Sequence, residues 1–211
     1  MDLELDRALK LLDIDPKPEE FKGLTGYVQE LTLWNRRFNL VRSEDEELIN
    51  RHIADALAPL ELIRRALPRE ARVADVGSGA GLPGIPLTIF LSGIELSLIE
   101  RSGKRAGFLR SAVIAAGIGN RSEVLHGDVR DCAREVDAVV MRAFRPLPEA
   151  LPLVLPLLGA GGILLAYHGR RETIDAELTD PLVKEFSWEI HLLPSLSGNE
   201  ERHLLIGSHR N

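Results

Sequence analysis

The residues in this chain best able to do chemistry lie in Asp75-Val76-Gly77-Ser78-Gly79-Ala80-Gly81, an acid followed by three alternating glycines. Gly77, Gly79 and Gly81 let the backbone turn tightly and let a ligand come close where a Cβ would intrude. Taken alone the spacing is ambiguous, since a dinucleotide oxidoreductase or a purely structural turn offers the same pattern. Asp75 shifts the balance. A carboxylate before the glycines repels a pyrophosphate, but it attracts the ammonium of an amino-acid moiety and the cationic sulfonium of S-adenosylmethionine. Glu100 stands at the end of the next predicted strand, where a carboxylate accepts from both ribose hydroxyls of NAD or of S-adenosylmethionine alike. Its alternative is a strand-end surface acid. Asp128, after Gly127, is placed to meet an adenine amino group or simply to cap the short helix that follows.

The segment Met141-Arg142-Ala143-Phe144-Arg145-Pro146 faces a methyl acceptor in such folds. It lacks the Asn or Asp followed by Pro-Pro and an aromatic that is common in adenine amino-methylating enzymes. Cys132, the single cysteine, sits on a different segment, so no cysteine nucleophile is placed for carbon-5 pyrimidine chemistry. What remains is an acceptor that needs no base, such as guanine N7, whose lone pair lies outside the aromatic system. Orientation and charge placement then suffice.

These residues need positioning elements. At 211 residues the chain can bury a substantial core. Up to about residue 67 apolar positions recur at helical spacing: Leu5, Leu9 and Leu12; then Leu24, Tyr27, Val28, Leu31, Trp34 and Phe38; then Leu48, His52, Ala56, Leu60 and Ile63. Pro16 and Pro18 separate the first two helices, and Ser43 with Glu46 forms a capping box opening the third. After Pro68 short aliphatic strands are predicted at Arg72–Val76, Ile94–Glu100, Ser122–His126, Ala138–Arg142, Gly162–Tyr167, Ser187–Leu193 and His203–Ser208. Helices are expected at about 84–91, 102–117 and 147–158, with a short turn near 129–134. The alternation implies an α/β, Rossmann-like sheet of seven mostly parallel strands with an antiparallel final strand. Residues 1–67 are expected to form an N-terminal helical cap, and 68–211 the cofactor-binding domain.

Composition narrows the partners. The net charge of −6 argues against indiscriminate nucleic-acid binding, yet arginines cluster, among them Arg36, Arg51, Arg142, Arg145 and Arg170. One cysteine excludes an internal disulfide and any multi-cysteine zinc site, and no run of about 18 apolar residues is present. A monomeric cytoplasmic enzyme without metal or membrane attachment is expected.

Several segments together resemble the bacterial small-subunit rRNA guanine-N7 methyltransferase family, glucose-inhibited division protein B. They are Asp75 to Gly81 continued by Leu82-Pro83-Gly84-Ile85-Pro86, Gly103-Lys104-Arg105 with Phe108-Leu109, Arg142-Ala143-Phe144, Trp34-Asn35 with Phe38-Asn39-Leu40, and Arg51-His52-Ile53-Ala54-Asp55. The match runs from about Leu31 to Arg171. The resemblance implies methyl transfer from S-adenosylmethionine to N7 of guanine 527 in 16S rRNA of the small ribosomal subunit. It implies cofactor contacts at Gly77, Leu82, Val129, Arg130 and Arg142, with Arg142, His52 and Asp55 at the active-site mouth as catalytic candidates. For Arg142 the alternative is a strand-end cation pairing Asp75 or Glu100; for Arg51, His52 and Asp55 it is a buried polar cluster. RNA contacts are expected from Arg36, Arg51, Arg145, His168 and Arg170. The chain departs from the family pattern at Gly127-Asp128-Val129-Arg130, where the charges are exchanged, and at His168-Gly169, where Lys-Gly is usual. It also has Asp55-Ala56 for Asp-Ser and Asn39-Leu40-Val41 for Asn-Leu-Thr. Arg170 or Arg171 can replace the missing lysine charge. Another S-adenosylmethionine-dependent RNA methyltransferase, a nicotinamide oxidoreductase and a non-catalytic rRNA-binding assembly protein are the alternatives.

Overall fold

The computed structural model describes residues 1–42, 45–132, 134–196, 198 and 200–209. Helices occupy the chain up to Ala66: α1 (Asp2–Leu11), α2 (Pro18–Phe38), α3 (Asp45–Leu48), a π-helical turn (Ile49–Ile53), α4 (Ala54–Leu57) and α5 (Leu60–Ala66). The first two apolar stripes are helix faces, with Leu5, Leu9, Leu24, Tyr27, Val28 and Leu31 buried. Pro18 begins α2 and Glu20 accepts from the Lys17 N–H at 2.8 Å. The third stripe is broken where a single helix was expected. Pro59 has no N–H to continue the ladder, and the π turn lies upstream. The capping box expected at Ser43 and Glu46 falls outside the described residues.

The strands are β1 (Ala71–Val76), β2 (Ile94–Glu100), β3 (Ser122–His126), β4 (Val136–Arg142), β5 (Leu158–His168), β6 (Phe186–Leu192) and β7 (His203–His209). Among the described residues they form one seven-stranded sheet in the order β3-β2-β1-β4-β5-β7-β6. β7 is antiparallel to both β5 and β6, between which it inserts; the other pairings are parallel. β5 starts before the predicted Gly162, because Gly159, Gly161 and Gly162 mute its strand signal.

α6 (Gly84–Phe90), α7 (Gly103–Ala115), α8 (Leu147–Val154) and α9 (Arg171–Glu177) cover the sheet. α8 stops short of the predicted residue 158, with Pro152 inside it and Pro156 just beyond. No helix was expected at α9, whose sequence Arg-Glu-Thr-Ile-Asp-Ala-Glu buries only Ile174. Alternate residues of β4 face opposite cores. Ala138 and Val140 join the N-terminal helices, α6 and α7, whereas Val139 and Met141 pack with α8 and α9. The N-terminal helices therefore share one apolar core with a sheet face. No helix among the described residues is long and apolar enough to cross a membrane. The strand order reverses at β1 and β4, and a crevice opens beyond their carboxyl ends, where open α/β sheets hold ligands.

Candidate active site

The glycine turn leaves β1 with Gly77, Gly79 and Gly81 at φ of 71°, 56° and 78°, a region that side chains other than glycine rarely adopt. A Cβ on Gly77 would lie 2.6 Å from the Phe144 ring. Gly79 N–H donates to Glu100 Oε2 at 3.0 Å, and Ser102 N–H donates to Oε1 at 2.8 Å. Glu100 thus ties the turn to the entrance of α7, and each oxygen keeps a lone pair for a further donor. Gly77, Glu100, Asp128, Val129 and Arg130 come together around a cleft of about 760 Å³, which Phe144, beside Gly77, and Arg145 also wall. Asp128 caps a 3₁₀ turn by accepting from Arg130 N–H, and it also takes the Arg130 guanidinium at 2.8 and 3.1 Å. The exchanged charges after β3 are therefore a local pair, and these bonds hold the Asp128 carboxyl well below its usual range.

Asp75, Gly79, Gly81 and Leu82 shape the turn from behind this cleft. Asp75 is 1% exposed, and its Oδ2 accepts from Gly84 N–H at 2.9 Å. Its Oδ1 is buried without a partner among the described residues. Burial pushes the Asp75 carboxyl up to about 7, outweighing the Gly84 hydrogen bond and the Arg142 charge that pull it down. Tyr27, wholly buried on α2, donates its hydroxyl to Ala80 O at 2.6 Å and latches the N-terminal helices to the turn.

A second cleft of about 470 Å³ adjoins the first, and both are walled by Ala143, Phe144 and Arg145. Ala143 turns the chain there with φ of 51°, and the Arg145 guanidinium stands 5.9 Å from the Phe144 ring centre. Arg142, at the end of β4, donates to His52 O at 3.3 Å. It makes no ion pair among the described residues, so the pairing with Asp75 or Glu100 weighed from the sequence is not formed. Those two carboxylates are held by backbone N–H groups instead. Burial, reinforced by the charges of Arg142, Arg51 and Arg202, lowers His52 to about 4, so it is neutral near pH 7. Its Nε2 is buried without a partner among the described residues.

Asp55 is 6% exposed and accepts from Arg202 Nε at 2.7 Å; its Oδ1 is buried without a partner among the described residues. Arg202 also pairs with Glu200, which lies 3.6 Å from Arg51. His168 stands 3.5 Å from Glu177 Oε2, and burial lowers its pKa despite that carboxylate. Arg145 and His168 therefore line the second cleft; Arg51 does not, and Glu200 connects it to Arg202, which does. Arg36, exposed on α2, and Arg170, preceding α9, line neither cleft. Tyr27, Tyr167, Glu177 and Arg202 were not foreseen as site residues. Tyr27 was hidden in a core stripe, and the Asp55–Arg202 pair spans 147 positions with no spacing to announce it.

This strand order, a glycine turn leaving β1 and an acid closing β2 define a Rossmann-like S-adenosylmethionine-dependent methyltransferase. Solved structures agree on the fold. One is an S-adenosylmethionine-dependent methyltransferase from Thiobacillus denitrificans in complex with S-adenosyl-L-homocysteine, with TM-score 0.57, 16% identity, and coverage of 72% of this chain and 91% of that one. Another is a predicted O-methyltransferase from Agrobacterium tumefaciens, with TM-score 0.61, 25% identity and coverage of 74% and 81%. The chain belongs to the rRNA small subunit methyltransferase G (GidB) family, whose model matches residues 20–205. It is 36% identical over 178 residues to ribosomal RNA small subunit methyltransferase G of Borrelia turicatae, covering 83% of this chain and 84% of that protein. To the protein of the same name in Treponema pallidum strain Nichols it is 37% identical over 203 residues, covering 92% and 88%. This membership sets aside a nicotinamide oxidoreductase.

Proposed function

We propose that the protein methylates N7 of a guanine in 16S rRNA, the one corresponding to guanine 527, within the small ribosomal subunit. A ribosomal substrate fits action in the cytoplasm, which we propose to be that of a single chain. The observation that carries this proposal is the meeting of two clefts at Ala143-Phe144-Arg145, one floored by the glycine turn and the other lined by Asp55 and Arg142. The relatives' shared name, ribosomal RNA small subunit methyltransferase G, supports the acceptor.

The first cleft fits the methyl donor, because Gly77 offers bare backbone and Glu100 presents a carboxylate with spare lone pairs to a ribose diol. S-adenosylmethionine supplies a methyl group on a cationic sulfur, which keeps the carbon–sulfur electron pair when the methyl leaves. Glu100 would bind the ribose and Asp128 and Val129 would border the adenine, while the Gly77 backbone and, from the adjoining cleft, Arg142 would orient the remainder. Guanine N7 attacks through its own lone pair, so no side chain has to remove a proton. The chain's work is to align the acceptor and exclude water. Residues 1–67 act as a cap on the acceptor side, bringing Asp55 to the second cleft, while His52 lines neither cleft and stands behind Arg142.

Purified protein incubated with labelled S-adenosylmethionine and small subunits from cells lacking the modification should place one N7-methylguanine in 16S rRNA. Its position would be mapped by cleavage at the methylated base. Subunits that remain unlabelled, or label at another atom, would overturn the assignment.

A further inference from the structure

Asp55 carries the feature of the second cleft that the proposed reaction leaves unused. It is 6% exposed and lines the cleft, and among the described residues only one of its oxygens is engaged: Oδ2 accepts from Arg202 Nε at 2.7 Å, while Oδ1 is buried with no partner among them. A buried acceptor left unpaired costs the folded protein its desolvation, and native structures rarely keep one without a purpose. The carboxylate cannot rotate away to solvent. Arg202 holds its Oδ2 and also pairs with Glu200, so a network at the cleft wall links α4 to the segment before β7. Beside it, Phe144 offers an aromatic face on which a base can stack.

We infer that Asp55 is the specificity-determining residue for the acceptor base, its carboxylate accepting from the N1–H and 2-amino group of the target guanine. This rests on the reading of the second cleft as the acceptor site. Guanine is the base whose Watson–Crick edge presents two adjacent donors, N1–H and the 2-amino group, to a carboxylate. Oδ1 together with the remaining lone pair of Oδ2 can take both. Adenine presents an acceptor at N1 and only a C–H at position 2, so it would leave Oδ1 unsatisfied and set a lone pair against it. The Watson–Crick edge lies across the ring from N7, so a base held this way turns N7 away from Asp55 toward the opposite wall of the cleft.

The contact also favours the reaction. Methylation at N7 leaves the guanine ring cationic, which makes N1–H and the amino group stronger donors. Hydrogen bonds to Asp55 therefore tighten as the methyl arrives, which is binding of the transition state in preference to the substrate. No proton need leave N1.

The test uses small subunits reconstituted with 16S rRNA carrying either guanine or inosine at the target position; inosine keeps N7, O6 and N1–H but lacks the 2-amino group. The wild-type protein should show kcat/KM about tenfold lower on inosine, the size of one hydrogen bond to a charged group. Asp55→Asn should lose at least as much on guanine, with its discrimination against inosine shrinking to about twofold, while S-adenosylhomocysteine binding stays unchanged by calorimetry. Affinity for the two kinds of subunit, measured with S-adenosylhomocysteine present, gives a readout without turnover and should follow the same pattern. Equal rates on guanine and inosine by the wild-type protein would overturn the inference even if Asp55→Asn does not fold. So would an Asp55→Asn protein that keeps the full discrimination. Failure of the wild-type protein to methylate guanine subunits at all would instead remove the proposed function, and this inference with it.

Discussion

At Gly77 the cofactor cleft and its partition come within touching distance. The Phe144 ring stands where a Cβ on Gly77 would lie, 2.6 Å from it, and the backbone there is left-handed at φ of 71°. Gly77→Ala therefore meets strain and a clash with a ring that cannot swing aside without opening the wall between the two clefts. Thermal denaturation should show a loss of about 1–3 kcal/mol, the usual cost of overpacking. Calorimetric titration should show S-adenosylhomocysteine binding weakened at least tenfold. Unchanged affinity would mean that the ring is not part of the cofactor wall. Gly77 and Glu100 were legible as a pair because they end neighbouring parallel strands, and that register converts sequence spacing directly into proximity. Asp55 and Arg202 were not legible together. Their contact depends on where the last two strands dock against the helical cap, and no local pattern encodes that.

Among the elements, α2 and α7 make the closest helix packing around the site, and small residues allow it. A Cβ on Gly26 would lie 2.3 Å from the Ala115 carbonyl oxygen, whereas one on Gly107 of α7 would meet nothing nearer than Trp34 at 3.9 Å. Both glycines sit inside helices, where alanine is intrinsically better by about 1 kcal/mol. Packing decides the sign. Gly107→Ala should stabilise the protein by about 0.5–1 kcal/mol in urea denaturation, and Gly26→Ala should destabilise it by about 1–3 kcal/mol by prising the helices apart. Through the Tyr27 latch on Ala80, the second change should also loosen the glycine turn. Strand positions were read closely from the sequence because doubly covered strands are continuously apolar. The elements misjudged are those where composition hides the backbone: the glycine-rich start of β5, the polar α9 with a single buried residue, and the third N-terminal stripe divided by Pro59.

For the whole molecule, buried Asp75 and part-buried His52, both beside the clefts, pull stability in opposite directions as pH changes. Burial raises Asp75 from 3.8 to about 7, so between those values the folded state holds a proton that the unfolded state has released, and stability falls as pH rises through that window. Burial and neighbouring arginines lower His52 from 6.5 to about 4. There the unfolded state holds the extra proton, so its contribution is fully present above pH 6.5 and is lost as pH falls toward 4. From about pH 4 to 6.5 the two slopes, each about 1.4 kcal/mol per pH unit at full strength, oppose one another and largely cancel. Removing either group should expose the other. Relative to the wild-type protein, Asp75→Asn, which keeps an oxygen for Gly84 N–H, should gain stability steadily as pH rises from 4 to 7, by on the order of 3–4 kcal/mol in all. His52→Gln should do the reverse, losing relative stability as pH rises from 4 to 6.5 by on the order of 3 kcal/mol. Urea denaturation of the three proteins at half-unit intervals would measure both differences, and the exposed carboxylates common to all three drop out of the comparison. Parallel wild-type and Asp75→Asn curves would show that Asp75 titrates at its ordinary value, and that the glycine turn does not bury a protonated acid beneath it.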